Sequence, residues 1–170
     1  MEQQLITHRI PPRLLRLLLN VWPPFLGARI KVREMDRDMR RARVEMPLSR
    51  ANRNPAGTHF GGSLFAMTDP FFVLMLSYNL PAGTIIWDKA SSIEFVAPGR
   101  GRVRADMSIS EADLAQIRRA LDGGEKHLHV FKAEIVDDEG LTVARVEKIV
   151  YLRRRVAERP PAVAAAALRG

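Results

Sequence analysis

The feature that most constrains this chain is the run GGSLFAMTDPFFVLMLSYN, which extends from Gly61 to Asn79. Asp69 is the only charged residue in the run, which is apolar on nearly every side. A helix of this composition has no polar face, so it must be buried in protein or in lipid. Lipid is the weaker choice, because Asp69 and Pro70 lie at mid-span and the run is at the short end for a membrane crossing. We therefore predict one long helix, buried by the rest of the chain, and no stable membrane insertion.

The segments around this helix alternate between apolar and charged residues, as half-buried strands do. Ala42, Val44 and Met46 alternate with charged residues, and residues 102–109 repeat the pattern. Strands are predicted over residues 29–38, 41–46, 84–96, 102–109, 128–136 and 142–152. Ser110 is positioned to cap a short helix, and Gly140 suits a hairpin turn between the last two strands. Strands, a long buried helix and then a run of antiparallel strands indicate an α+β fold.

Length and composition indicate a single domain. The chain has 170 residues and is 46% hydrophobic, which is enough for an ordinary core. We divide it into an N-terminal helical extension (1–28), a core (29–153) and a low-complexity, flexible tail (156–170). In the extension, Leu15, Leu18 and Leu19 share one face of an amphipathic helix that we expect to dock on the domain or on a partner subunit. The lack of cysteine and of a signal-peptide cleavage site favours a cytoplasmic location.

The chain is basic, but its charge pattern does not indicate a nucleic-acid partner. It carries 27 Lys and Arg against 19 Asp and Glu, a formal net charge of +8. The arginines are spread along the chain, usually close to an acid, and the sequence contains no recognisable nucleic-acid-binding motif. His127 and His129 lack an obvious third ligand, so no metal is expected. Ser63 is not in a serine-hydrolase motif, and the glycines beside it lack the lysine of a phosphate-binding loop.

Asp69 is the residue of the buried helix that needs a physical explanation. A buried, ionised acid is costly, so Asp69 must be hydrogen-bonded, paired, partly solvated or protonated. It either bridges the kink that Pro70 imposes on the helix or takes part in chemistry. Gly61 and Gly62 leave the first N–H groups of the helix unobstructed. Gly61 and Asp69 are eight residues apart, about 12 Å along a helix axis, so they can act on one atom only if a second subunit packs antiparallel to the first.

A set of residues before, within and after the helix forms a recognisable pattern: Asn54, Gly57, His59, Phe60, Gly61, Gly62, Ser63, Leu64, Asp69, Phe95, Ala97 and Pro98. With this pattern, residues 40–152 resemble hotdog-fold acyl-CoA thioesterases of the phenylacetyl-CoA and 4-hydroxybenzoyl-CoA kind. The segment FGGSLFAMTDP is similar to a largely uncharacterised branch of that superfamily. The resemblance implies a long helix inside a curled antiparallel sheet, with acyl-CoA sites at the interfaces of a homodimer or homotetramer.

The resemblance implies hydrolysis of an acyl-CoA or acyl-carrier thioester, with no cofactor beyond the coenzyme A of the substrate. It makes the backbone N–H of Gly61 the oxyanion donor and Asp69 of the partner subunit the general base or nucleophile. Asn54, in the loop before the helix, belongs to the same catalytic set. One departure concerns histidine. Related enzymes carry it directly before the first glycine, whereas this chain has Phe60 there and His59 one position earlier. The resemblance makes His59 a catalytic candidate that polarises the carbonyl or orders the loop, if a local shift compensates for its displacement.

Six residues are candidates for substrate contacts: Gly62, Phe60, Asp88, Phe65, Phe72 and Arg100. Asp88 lies where related enzymes often carry a polar residue, and it either positions water or solvates its strand. Phe65 and Phe72 either line an acyl pocket or belong to the core, and Arg100 is a candidate for the phosphates of coenzyme A. A non-catalytic binder of acyl-CoA or lipid is the alternative function. A hotdog dehydratase is disfavoured, because such sites usually pair a histidine with an acid and His59 is not in the expected position.

Overall fold

The computed structural model describes residues 10–154, so the predicted tail (156–170) and the first nine residues of the extension lie outside the described residues. The described residues form five helices: α1 (Pro12–Val21), α2 (Pro23–Ala28), α3 (Gly61–Ala66), α4 (Phe71–Asn79) and α5 (Glu111–Asp122). They also form six strands: β1 (Lys31–Met35), β2 (Arg41–Pro47), β3 (Thr84–Phe95), β4 (Arg102–Ser108), β5 (His127–Asp137) and β6 (Thr142–Arg154).

The six strands form one antiparallel sheet in the order β1-β2-β4-β5-β6-β3. Along β2, β4, β5 and β6 the side chains alternate between buried and less buried positions, so one row of each strand faces the core. Ser110 caps α5, and Gly140 adopts φ +84° in the turn between β5 and β6, as predicted. The first predicted strand is shorter than expected, because Arg29 ends α2 in the left-handed conformation. The α+β architecture itself is confirmed.

The central apolar segment is interrupted at the kink that Pro70 imposes, so the predicted long helix consists of two shorter ones. Helix α3 ends at Ala66 and α4 begins at Phe71. Pro70 has no N–H and its ring clashes with the preceding turn. The N–H groups of Thr68 and Asp69 therefore bond back three residues, in a tight turn. No helix among residues 10–154 is long and apolar enough to span a membrane.

The turn between α3 and α4 brings Asp69 to the surface, while α4 stays buried. The Asp69 side chain is 55% exposed and paired with Lys148, so the acid is paired and partly solvated, two of the predicted alternatives. On α4, by contrast, Phe71, Phe72, Met75 and Leu76 are each at most 1% exposed. The apolar segment therefore serves two purposes. Its second half, α4, belongs to the hydrophobic core, and the turn at its centre exposes the Asp69 carboxylate.

The N-terminal extension docks on its own domain, at the outer strand β1. Leu15 and Leu19 of α1 are buried. The Asn20 side chain accepts a hydrogen bond from Val32 N–H at 2.7 Å and donates one to Val32 O at 3.2 Å. Leu18, predicted to share the buried face, is 46% exposed, because it lies about 60° around the helix from Leu15. One edge of the sheet is thus covered, whereas β3, at the other edge, has no strand on its outer side among the described residues.

The assignment of α4 to the core gives a stability prediction. Leu76 on α4 is 0% exposed, and Leu141, in the β5–β6 turn, is 56% exposed. We expect Leu76→Ala to lower the free energy of unfolding by about 2–5 kcal/mol, because it removes buried methyl groups and leaves a cavity. The same substitution at Leu141 should change it by no more than about 0.5 kcal/mol. Urea denaturation measures both, and equal effects would contradict the assignment.

Candidate functional site

A fully buried lysine connects the sheet to the turn between α3 and α4. Lys148 lies on β6, and its side chain is 0% exposed. Its Nζ donates to Asp69 Oδ1 at 2.7 Å, to Asp88 Oδ2 at 2.9 Å and to the Asp69 carbonyl oxygen at 3.3 Å. An unpaired buried ammonium would destabilise the fold by several kcal/mol. The two carboxylates therefore allow a cation to occupy this position in the core.

The backbone explains why these three side chains meet. The inward-facing row of β6 is Ala144, Val146, Lys148, Val150 and Leu152, so the lysine takes a position that the pattern reserves for an apolar residue. Asp88 lies on the neighbouring strand β3, directly before a register shift. Asp69 is supplied by the turn that Pro70 imposes. Sequence reasoning missed Lys148, although the inward position of a lysine in an alternating strand was a usable signal.

The two acids have different surroundings. Asp69 is held through Oδ1, and its Oδ2 has no hydrogen-bond partner among the described residues. Asp88 is 22% exposed, and its Oδ1 is buried without a partner in the described part of the chain. Burial raises the pKa of Asp88, the Lys148 ammonium opposes that rise, and the Asp69 charge adds to it. Asp69 is therefore the more accessible carboxylate, and Asp88 lies behind the lysine.

Phe65 flanks the same ammonium. The Phe65 ring centroid is 5.1 Å from Lys148 Nζ, a cation–π distance. Phe72, the other aromatic candidate for the acyl pocket, stacks on Phe131 at 4.6 Å and is 1% exposed. The structure therefore places Phe72 in the core. Phe65 lies beside Lys148 and its two carboxylates, Asp69 and Asp88, which we call the Lys148 cluster.

At the other end of α3, two glycines expose backbone donors beneath aromatic rings. Gly61 and Gly62 are the first two residues of the helix, and their N–H groups donate to no described residue. A Cβ atom on Gly61 would lie 2.7 Å from Phe95 Cζ, and one on Gly62 would lie 2.4 Å from Phe60 Cε1. Both rings are 57% exposed. A side chain at either position would displace the outer end of an exposed ring, and the two free N–H donors lie beside an apolar rim.

The side chains of Asn54 and His59 bond to loop groups and not to the free N–H groups of Gly61 and Gly62. The Asn54 side chain bonds to the Thr58 hydroxyl and N–H and to the His59 carbonyl, all within its own loop. His59 is 3% exposed, and its Nε2 lies 3.1 Å from the Gly101 carbonyl oxygen, to which it donates as the Nε2–H tautomer. Burial lowers the pKa of His59. The Asn54 side chain and His59 Nε2 thus bind loop and main-chain groups, whereas His59 Nδ1 is buried without a partner in the described part of the chain.

The remaining predicted residues lie outside the Lys148 cluster. Arg100 is exposed, in the loop after β3, and takes part in none of the described ion pairs. His127 Nε2 lies 3.3 Å from His129 Nδ1, and His129 Nε2 lies 3.1 Å from Asp113 Oδ1. Since Asp113 also caps α5, this series of hydrogen bonds attaches α5 to β5. Within residues 10–154, no group of three or more His, Cys, Asp or Glu is placed to hold a metal ion.

Comparison with known proteins identifies the family. The model of the family described as a domain of unknown function, DUF4442, matches residues 12–152. The chain belongs to this family. A search of curated proteins finds no match to this DUF4442 chain.

Solved structures similar to the DUF4442 chain show its fold. The Pseudomonas aeruginosa protein PA5026, named a probable thioesterase, is 18% identical with a TM-score of 0.76, over 86% of this chain and 97% of that one. The Haemophilus influenzae thioesterase HI1161 is 14% identical with a TM-score of 0.63, over 88% and 95%. The PaaI protein of the E. coli phenylacetic acid degradation operon is 19% identical with a TM-score of 0.54, over 84% and 91%. The predicted hotdog fold, a curled antiparallel sheet around a central helical segment, is confirmed.

The burial of His59 gives a pH prediction. Its pKa in the folded state is lowered from the ordinary value of 6.5. The stability that neutral His59 contributes is therefore present above about pH 6.5 and is lost as the pH falls through the folded-state pKa. We expect His59→Gln, which retains a donor for Gly101, to lose less stability than the wild type between about pH 7 and pH 5. Urea unfolding at several pH values tests this, and identical pH dependence would contradict it.

Proposed function

We propose that this DUF4442 protein hydrolyses the thioester of an acyl-CoA or acyl-carrier substrate. The observation that carries the proposal is the Asp69 carboxylate, which is fixed through Oδ1, has no described partner at Oδ2 and belongs to a side chain that is 55% exposed. A base or nucleophile in acyl transfer needs this combination of fixed orientation and access. The names of PA5026 and HI1161 support the same reaction class.

The reaction requires two groups from the protein. Asp69 removes a proton from water as the water oxygen adds to the thioester carbonyl, or its own carboxylate adds to that carbon. The carbonyl oxygen becomes an oxyanion, to which a backbone N–H such as that of Gly61 donates a hydrogen bond. The C–S bond then breaks, the thiolate takes up a proton, and the carboxylic acid is released. Where the carboxylate adds first, water hydrolyses the resulting anhydride.

The two groups come from different subunits in this proposal. Helix α3 and the turn after it separate Gly61 from Asp69 within one chain. The open edge strand β3, together with α3, carries exposed aromatic side chains, with Phe60, Trp87 and Phe95 each at least 53% exposed. Long open edges and apolar patches of this kind are normally covered by a partner. These features support a homodimer or homotetramer in which Gly61 of one subunit faces Asp69 of the next.

The aromatic rings beside Gly61 and Gly62, the first two residues of α3 (the glycine tip), suggest where the substrate enters. Phe60 and Phe95 form an apolar surface beside the Gly61 N–H group, which suits an acyl chain or the partner subunit. Arg100 lies in the loop that follows β3 and is exposed. Its position and its lack of a described carboxylate partner make it our candidate for a coenzyme A phosphate.

Substitution of Asp69 tests the reaction. We expect Asp69→Asn to lower kcat by about 10²-fold or more on the best substrate of an acyl-CoA panel, because the amide is neither a base nor a nucleophile. The asparagine oxygen still accepts a hydrogen bond from Lys148, and Asp88 still balances its charge, so the fold should persist. Steady-state kinetics and thermal unfolding measure the two effects.

The matched control is Asp122→Asn, at the end of α5, where the carboxylate is 74% exposed and pairs with Arg154. We expect wild-type kcat from it. No turnover by the wild type on any acyl-CoA or acyl-carrier thioester would overturn the proposal. Retained acyl-CoA binding in that case would instead identify a non-catalytic binder.

A mixed dimer tests the shared site. Gly61→Pro removes the N–H group at a helix position that tolerates proline, and it needs Phe95→Ala beside it because the ring would clash. We expect this double variant to lose about 10²-fold or more in kcat relative to Phe95→Ala with Gly61→Ala, which retains the N–H group.

A dimer of that inactive chain with the inactive Asp69→Asn chain, isolated with two affinity tags, should regain about half of the wild-type activity, because one of its two sites is intact. No recovery would place both groups in one subunit. A wild-type chain that sediments as a monomer would likewise exclude the shared site.

A further inference from the structure

We infer that Lys148 is a positioning residue, which with Asp88 behind it determines the oxygen that Asp69 presents to the substrate. The inference rests on the proposed thioester hydrolysis and adds to it a residue that the sequence pattern did not reveal. Lys148 does not itself contact the substrate in this arrangement, because its side chain is 0% exposed.

The hydrogen bonds of the ammonium support this role. A lysine ammonium has three donors, and Lys148 directs Nζ at three acceptors: Asp69 Oδ1, the Asp69 carbonyl oxygen and Asp88 Oδ2. All three donors are therefore used within the protein. Two of them hold the same residue, through its side chain and its main chain, which restricts both the carboxylate orientation and the position of the turn.

The break at Pro70 makes this double contact possible. In a continuous helix the Asp69 carbonyl would accept from the N–H of Val73. The described backbone bonds instead begin with Leu74 N–H donating to Pro70 O, and the Asp69 carbonyl accepts from Lys148. The cation thus replaces the missing helical donor and at the same time binds the carboxylate beside it.

The sheet supplies the rigidity that positioning needs. Strand β6 is paired on both sides, with β5 and with β3, and Lys148 lies opposite Phe131 and Ser91 in these ladders. Asp88 holds the ammonium from the side opposite the turn, and it is less exposed than Asp69 (22% against 55%). A carboxylate that is fixed through Oδ1 presents Oδ2 in one direction, where a reacting water or carbonyl carbon can be met in a defined geometry.

A double variant separates positioning from charge balance. Lys148→Met alone would leave Asp88 buried without its cation and would destabilise the fold. Lys148→Met with Asp88→Asn removes both charges from the core and keeps the side-chain volumes similar, an exchange that is often neutral for stability. Asp69 tolerates the loss of the Lys148 cation, because its side chain is 55% exposed and water can solvate the carboxylate. The matched control is Lys132→Met, on the neighbouring strand, where the lysine is 79% exposed.

We expect the folded double variant to lose about 10²-fold in kcat, as misplacement of a catalytic group by about 1 Å does, with KM changed by less than about threefold. Lys132→Met should match the wild type. Wild-type kcat in the folded double variant would overturn the inference, because it would show that Lys148 only balances the charge of Asp88.

Crystal structures of the wild type and the double variant test the positioning role without a measurement of enzyme activity. We expect the Asp69 carboxylate to leave its wild-type orientation or to occupy more than one. An unchanged, single orientation would overturn the positioning role. Failure of the wild type to hydrolyse any thioester would reject the proposed function alone, since the structural comparison would still report on Lys148.

Discussion

The Lys148 ammonium, enclosed between the Asp69 and Asp88 carboxylates, is the interaction on which the arrangement of this protein depends. It connects the turn between the two central helices to two strands that are already paired with each other, β6 and the edge strand β3. A cation in the core is tolerated only when its counter-ions arrive with it. The position of the turn, and hence of α3 and its glycine tip, is therefore coupled to the register of β3 on β6.

The break in the central segment is the second constraint, and it follows from one residue. Pro70 prevents the turn before it from closing as α-helix, and it leaves the Asp69 carbonyl to be satisfied by the lysine. An unbroken helix would direct its apolar side chains inward but would offer no irregular backbone to bind the ammonium. The same proline therefore explains both the kink and the exposure of the acid. Of the two alternatives for Asp69, the structure shows the contact at the kink, made with Lys148, and the reactive role is the one that we propose.

The comparison with sequence expectations separates local from distant effects. Strand alternation, the cap at Ser110 and the turn at Gly140 follow from short-range rules, and each is observed. The resemblance assigns Asn54 and His59 to chemistry. In the structure the Asn54 side chain and His59 Nε2 hydrogen-bond to loop groups at Thr58 and Gly101, and His59 Nδ1 is buried without a partner among the described residues. The one-residue displacement of the histidine matters here. Phe60 at the helix start is exposed, whereas His59 before it is buried.

What the sequence alone determined is the six strands, the apolar central segment and the presence of a costly acid within that segment. An apolar run must be buried, an alternating run must form a half-buried strand, and an acid in such a run needs a partner, because these requirements act over a few residues of backbone. The partner itself was decided only by the tertiary structure. Lys148 lies 79 residues from Asp69 and 60 from Asp88, and only the strand register brings the three together. That register depends on packing throughout the sheet, which no local pattern contains.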